Sequence, residues 1–146
     1  MPDSKSEQVL KALYAALQTA LPSGTSLARN QIVPTKVPAG GWVCLGDGDP
    51  GQPEFLFSPP TYVYDHSADL DIVVEDDDQA ARDALFDTIK QAVGSALSAD
   101  RTLGGMCDYV LGEAPAPVEL EAPGTESMKA ATIGVILTYG SSDPLA

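Results

Sequence analysis

Cations are scarce in this chain of 146 residues: eight lysines and arginines stand against 21 aspartates and glutamates, for a net charge of −13. Proteins that grip nucleic acid do so with a surplus of Lys and Arg against the phosphates, so the composition argues against a DNA-binding role. A surface lined by carboxylates would instead let DNA slide past without sticking. Cysteine is limited to Cys44 and Cys107 and histidine to His66, too few for a disulfide framework or a histidine-rich metal centre. The chain opens with no charged segment followed by an apolar stretch, so no secretion signal is expected, and synthesis in a reducing cytoplasm follows. No run approaches the roughly 18 apolar residues needed to span a bilayer, which argues against a membrane role. Aromatics supply only 6% of residues while the hydrophobic fraction is 44%; the core must therefore come from small and branched aliphatic side chains. A chain of this length buries roughly two thirds of its unfolded surface, enough to fold without staples.

Periodicity supplies the elements. Residues 4–21 place Val9, Leu10, Leu13, Leu17 and Leu21 at helical spacing, with Ser4 and Glu7 spaced as a capping box and Pro22, Ser23 and Gly24 ending the helix. Residues 22–40 carry three prolines, which lack the donor a central strand needs. They are expected to form a surface arm, with one short strand near Ile32. A strand over 42–45, a loop GDGDPGQPE and a returning strand over 55–57 follow. The most regular segment is 61–75. Tyr62, Tyr64, His66, Ala68, Leu70, Ile72 and Val74 share one parity, while Asp65, Ser67, Asp69, Asp71 and Glu75 share the other. In a strand this gives one apolar and one acidic face, and the unusual length predicts a bulge or bend near Ser67. A helix over 78–98 carries Ala81, Leu85, Ile89, Val93 and Leu97 on one stripe, after the aspartates 76–78 that suit a helix start. Strands are then expected over 106–111, 118–121 and 128–139, the last with Ala131, Ile133, Val135, Leu137 and Tyr139 inward. The pattern predicts one α+β domain over residues 1–146, with two principal helices on a mainly antiparallel sheet.

The chemistry-bearing residues do not assemble into a reaction centre. Asp65, His66, Asp69 and Asp71 carry atom types that bind metals, but strand parity turns His66 away from the three carboxylates. Cys44 in GWVCL and Cys107 in GGMCDYV sit in apolar strand patterns, where a free thiol behaves as a small hydrophobe. GDGDPG and LGG match neither glycine-rich phosphate motif, and Asp47 and Asp49 would repel a phosphate. The expectation is no enzyme, no cofactor and no metal.

Four stretches together resemble the tail-terminator, or tail-completion, proteins of long-tailed phages, the minor tail protein U type. They are VPAGGWVCLGDG after the first helix, TYVYDHSADLDIVVE before the second, ADRTLGGMCDYV after it and KAATIGVILTYGSSDPLA at the end. They cover most of the chain from Val37 onward, and related chains occur in gene transfer agents. The resemblance implies a structural virion subunit, made and assembled in the bacterial cytoplasm, that forms a homohexameric ring at the head–tail junction. Such a ring caps the tail tube protein, halts its polymerisation, and joins the tail to the head-completion or connector protein, with DNA only in transit through the lumen.

A closed ring needs a heterologous interface, for which strand edges and projecting loops are natural. Residues 29–42 and 101–108 are the expected contact elements, with Val37, Trp42, Arg101, Leu103 and Asp108 as interface residues and Arg101 as an ion-pair donor. Asp65, Asp69 and Asp71 either line the lumen or form an outward solvated face. The competing readings are a head-completion or neck protein of the same particle, a small acyl transferase or metal-dependent hydrolase, and a soluble adaptor.

Overall fold

A computed structural model describes residues 2–120 and 126–146. The first helix, α1 (Lys5–Ala20), starts where the Ser4 hydroxyl accepts the Glu7 N–H at 3.3 Å, satisfying one of the orphan donors of a helix start. Only half of the expected capping box forms, because the Glu7 carboxylate turns to Arg29 instead. Val9, Leu10, Leu13 and Leu17 are buried along one stripe.

The strands are β1 (Ser26–Arg29), β2 (Trp42–Asp49), β3 (Glu54–Phe57), β4 (Pro60–Glu75), β5 (Tyr109–Gly112), β6 (Ala116–Val118) and β7 (Met128–Ser141), with α2 (Gln79–Ala99) between β4 and β5. They form a single sheet in the order β1-β2-β4-β7-β5, with β3 paired to the start of β4 and β6 to the start of β7. Only β1 and β2 run parallel; the other pairings are antiparallel. The fold is thus the expected α+β class. At its centre β4 and β7 pair continuously from Tyr62 with Ser141 to Glu75 with Met128.

Both helices lie on the face that carries Leu70, Ile72, Ile133, Val135 and Leu137. Fully buried aliphatics from the helices and the sheet interlock there, among them Leu13, Leu17, Leu45, Leu70, Ile89 and Leu97, each contributing roughly 1.5–3 kcal/mol by leaving water. The stripe of α2 is rotated from its expected place: Phe86, Ile89, Val93, Ala96 and Leu97 are buried, while Leu85 is half-buried at the edge of the core.

A second, smaller cluster lies on the other face of the sheet, where the 30–41 arm folds over Ala28, Trp42, Cys44 and Val73 and inserts Val37. Burial on both faces explains the unbroken apolar run from Trp42 to Leu45.

Several boundaries differ from expectation. No strand forms near Ile32, which is 91% exposed; the short strand lies earlier, at Ser26–Arg29. β2 runs on through Asp49, β5 starts at Tyr109, and β6 lies at Ala116–Val118; the expected 118–121 strand ends outside the described residues. The irregularity expected near Ser67 is present, but β2 carries it: the register shifts between Gly46 and Asp49, opposite Ser67. Gly48 occupies the bulge at φ +69°, a conformation that costs other residues.

Candidate interaction surfaces

The parity of β4 splits its side chains as the sequence predicts. His66 lies buried on the helix face, and Asp65, Asp69 and Asp71 lie exposed on the other. Thr138 Oγ1 donates to Asp65 at 2.8 Å and Thr132 Oγ1 to Asp71 at 2.7 Å, each from the directly paired residue of β7. Asp69 faces Gly46 on one side and Gly134 on the other, and the Glu113 carboxylate lies over Gly134 beside it. Among the described residues, no group of three or more His, Cys, Asp or Glu side chains is arranged to hold a metal ion.

His66 is a structural link. Its Nε2 lies 2.6 Å from the Asp47 carbonyl, which can only accept, so Nε2 carries the proton; Nδ1, 2.7 Å from the Tyr139 hydroxyl, then accepts from it. Both ring nitrogens are thereby used to tie β4 to the β2 bulge and to β7. Burial, followed by the neighbouring Tyr64, pushes the Tyr139 phenol up to about 12, so it remains a neutral donor.

Neither thiol has His66 as a hydrogen-bond partner. Cys44 Sγ sits against the backbone of Gln31, and Cys107 Sγ against the Arg101 carbonyl. Burial pushes the Cys107 thiol up, with Asp108 adding to it, which disfavours the reactive thiolate.

A charged cluster fastens α1 to the sheet. Arg29 on β1 donates through both terminal nitrogens to Glu7, at 2.8 Å each, and through Nε to Asp47 at 2.9 Å. The bidentate fork is the strong geometry for such a pair. The Arg29 hydrogen bond holds the Glu7 carboxyl below its usual range against a partial burial penalty. At Asp47 burial pushes upward, but the bonds from Arg29 and Asn30 outweigh it and the net shift is down.

The five expected interface residues do not converge on one surface. Val37 and Trp42 are buried in the second cluster, and Leu103 is buried in the main core, so these three side chains are occupied within the chain. Arg101 is half-buried, donating to the Val110 carbonyl at 3.1 Å and lying over the Tyr109 ring. Asp108 is exposed.

Sequence reasoning missed the most exposed apolar element. All four residues of β3 are exposed, Phe57 to 82%. With the start of β4 they form a hairpin in which Phe55 packs edge-on to Phe57 and against Tyr62, each at 4.9 Å between ring centres. One side of this hairpin, near its turn, meets the 105–108 turn around a cleft shared by Leu56, Pro60, Met106 and Asp108. The signal was the apolar run EFLF between proline-rich turns, which periodicity alone reads as an ordinary buried strand.

No protein-family model matches the chain, and no curated protein matches it. Among solved structures, it is similar to the sheath/tube terminator of the PVC extracellular contractile injection system in its extended state, determined by electron cryomicroscopy. The TM-score is 0.44 at 14% sequence identity, over 94% of this chain and 57% of that one. This chain therefore matches little more than half the length of that neighbour.

Among the described residues, no helix is long and apolar enough to cross a membrane.

Proposed function

We propose that the chain is a single-domain structural assembly subunit of a phage-like tail, working as a terminator: copies close into a ring, taken as a hexamer, that caps the tail tube. The observation that carries this reading is the projecting hairpin, whose Phe55, Leu56 and Phe57 are exposed while His66, Cys44 and Cys107 are engaged in structural bonds. A row of exposed apolar side chains rimmed by polar ones marks a surface made to be covered. The stretches that resemble tail-terminator proteins support the same role.

On this reading the ring's outer partners are the tube protein on one side and a head-completion or connector protein on the other, at the head–tail junction of the particle. Arg101 and Asp108 lie at the subunit contact, and Val37, Trp42 and Leu103 hold the contacting segments in place from within. The exposed column of Asp65, Asp69 and Asp71 faces the lumen, where its charge keeps DNA in transit from adhering.

Negative-stain microscopy of the protein mixed with polymerised tube protein tests the reading. The expected result is annular density on tube ends and tubes that stop growing. Bare ends and undiminished polymerisation would refute it. Replacing the three aspartates with lysine should leave capping intact and make the ring retain DNA at low salt.

A further inference from the structure

The hairpin has a counterpart elsewhere on the same chain. Between the second half of α2 and the β5 edge lies an apolar cleft of about 360 Å³, floored by Val93, Leu97 and Ile133. Two glycines keep it open. A side chain at Gly112 would press on Leu97, and one at Gly94 would stand in free space. Lys90 and Arg101 line it. Glu113 lines it as well, with its carboxylate reaching over Gly134.

Charge limits which surfaces of this protein can meet. Two copies at −13 each repel, so a contact between copies is favoured where one of the eight cations faces an acid. Arg101 makes no ion pair among the described residues, and Lys90 makes only the exposed pair with Asp87 on its own helix. The hairpin offers the complement: an exposed Glu54 on the strand that carries Phe57 at its tip. It cannot reach the cleft of its own chain, because it pairs through Val63 with Gly140, while the cleft sits at Ile133. These points lie roughly 24 Å apart along β7 at the usual strand rise.

We propose that the α2/β5 cleft receives the β3–β4 hairpin of a second copy, with Phe57 in the apolar floor and Glu54 at the rim toward Lys90 and Arg101. Two different patches of one chain then meet head to tail, the arrangement that closes a ring or extends a filament. This rests on the reading of the chain as an assembly subunit and names the contact.

Two variants separate the halves of the contact. Phe57→Ser removes the knob from an exposed position. Gly94→Trp fills the cleft where the added Cβ meets nothing and where leaving glycine favours the helix. Isotope-labelled Phe57→Ser protein, with its cleft intact, is titrated with unlabelled Gly94→Trp protein, with its hairpin intact, and amide shifts are followed by NMR. Saturable shifts at Lys90, Arg101 and Gly112 are expected. They should weaken by roughly 30-fold or more in affinity when the titrant also carries Phe57→Ser, the loss typical of a central aromatic anchor.

Silence at about 1 mM, where even millimolar affinity is visible, or shifts confined to other surfaces, would overturn the contact. If tube capping persists in both variants while the titration is silent, the contact falls and the terminator reading stands. If the cleft saturates but the parent protein caps no tube, the contact stands and the terminator reading falls.

Discussion

Replacing Gly48 with alanine should be among the most damaging single-methyl changes available in this protein. Gly48 sits in the β2 bulge at φ +69°, and a Cβ there would overlap the Ser67 carbonyl oxygen of β4. Backbone cannot step aside as a side chain can. The left-handed conformation alone costs an L-residue about 1–2 kcal/mol. Moving β2 away from β4 also strains the bond from His66 Nε2 to the adjacent Asp47 carbonyl, and a buried donor left unpaired costs about 1–3 kcal/mol. The sum is roughly 3–4 kcal/mol, near the upper end for point substitutions, equivalent to about 10 °C in Tm for a chain of this size. Gly51→Ala is the control, because Gly51 has φ +72° but nothing within 4 Å of its added Cβ. It carries the same conformational term and the same stiffening of the unfolded chain, without the overlap, so it should cost only about 1 kcal/mol. Urea unfolding of both variants, read by circular dichroism, isolates the steric part as their difference. Equal stabilities within about 0.5 kcal/mol, the usual noise of such comparisons, would show that the bulge is not packed as described.

The Arg29 cluster should be worth less than its geometry suggests. Arg29→Ala is expected to cost about 1–2 kcal/mol by the same unfolding assay, discounted because Glu7 and Asp47 are partly solvated. Both carboxyls are depressed in the folded state, so their contribution is fully present above the ordinary carboxylate range and is lost as pH falls through and below about 4. The pH dependence of stability should flatten in that window in Arg29→Ala. His66→Leu strands the Asp47 carbonyl and the Tyr139 hydroxyl and should destabilise by about 2–3 kcal/mol; a change below about 0.5 kcal/mol would show that water replaces the ring without penalty. Cys44 and Cys107 are both buried, so native protein at pH 8 should react with a thiol-specific chromogenic disulfide far more slowly than unfolded protein, and rapid labelling of either would contradict the packing around it.

What could be read from the sequence follows from how many residues share each signal. β4 was legible because the alternation from Tyr64 to Ile72 is unbroken, and α1 because four buried positions fall on one stripe between a capping serine and a proline. β1 was not. It has four residues, one of them buried, and it docks as a parallel edge strand, so pairing with β2 sets it where periodicity does not. The rotation of the α2 stripe toward Phe86 reflects tertiary packing, including Lys129 set 4.6 Å above the Phe86 ring. The second cluster escaped notice for a different reason. Val37 lies among prolines and reads as arm, and nothing local says that the arm folds back over Trp42. The burial of Val37, Trp42 and Leu103 within the chain was equally invisible: sequence identifies an apolar side chain, but not whose surface it covers. The side on which Asp65, Asp69 and Asp71 lie was legible, because alternation fixes the side of the sheet without reference to any partner.

The strand that bears the acidic column is also one arm of the hairpin. Pro60–Val63 belong to β4 itself and continue without a break into the stretch held between β2 and β7. The exposed tip is therefore the free end of a beam anchored in the middle of the molecule, unlike a loop hung from flexible tethers. Docking there would surrender little backbone freedom. Any load applied at Phe57 would pass along the beam into the longest ladder of the sheet before it reached either helix.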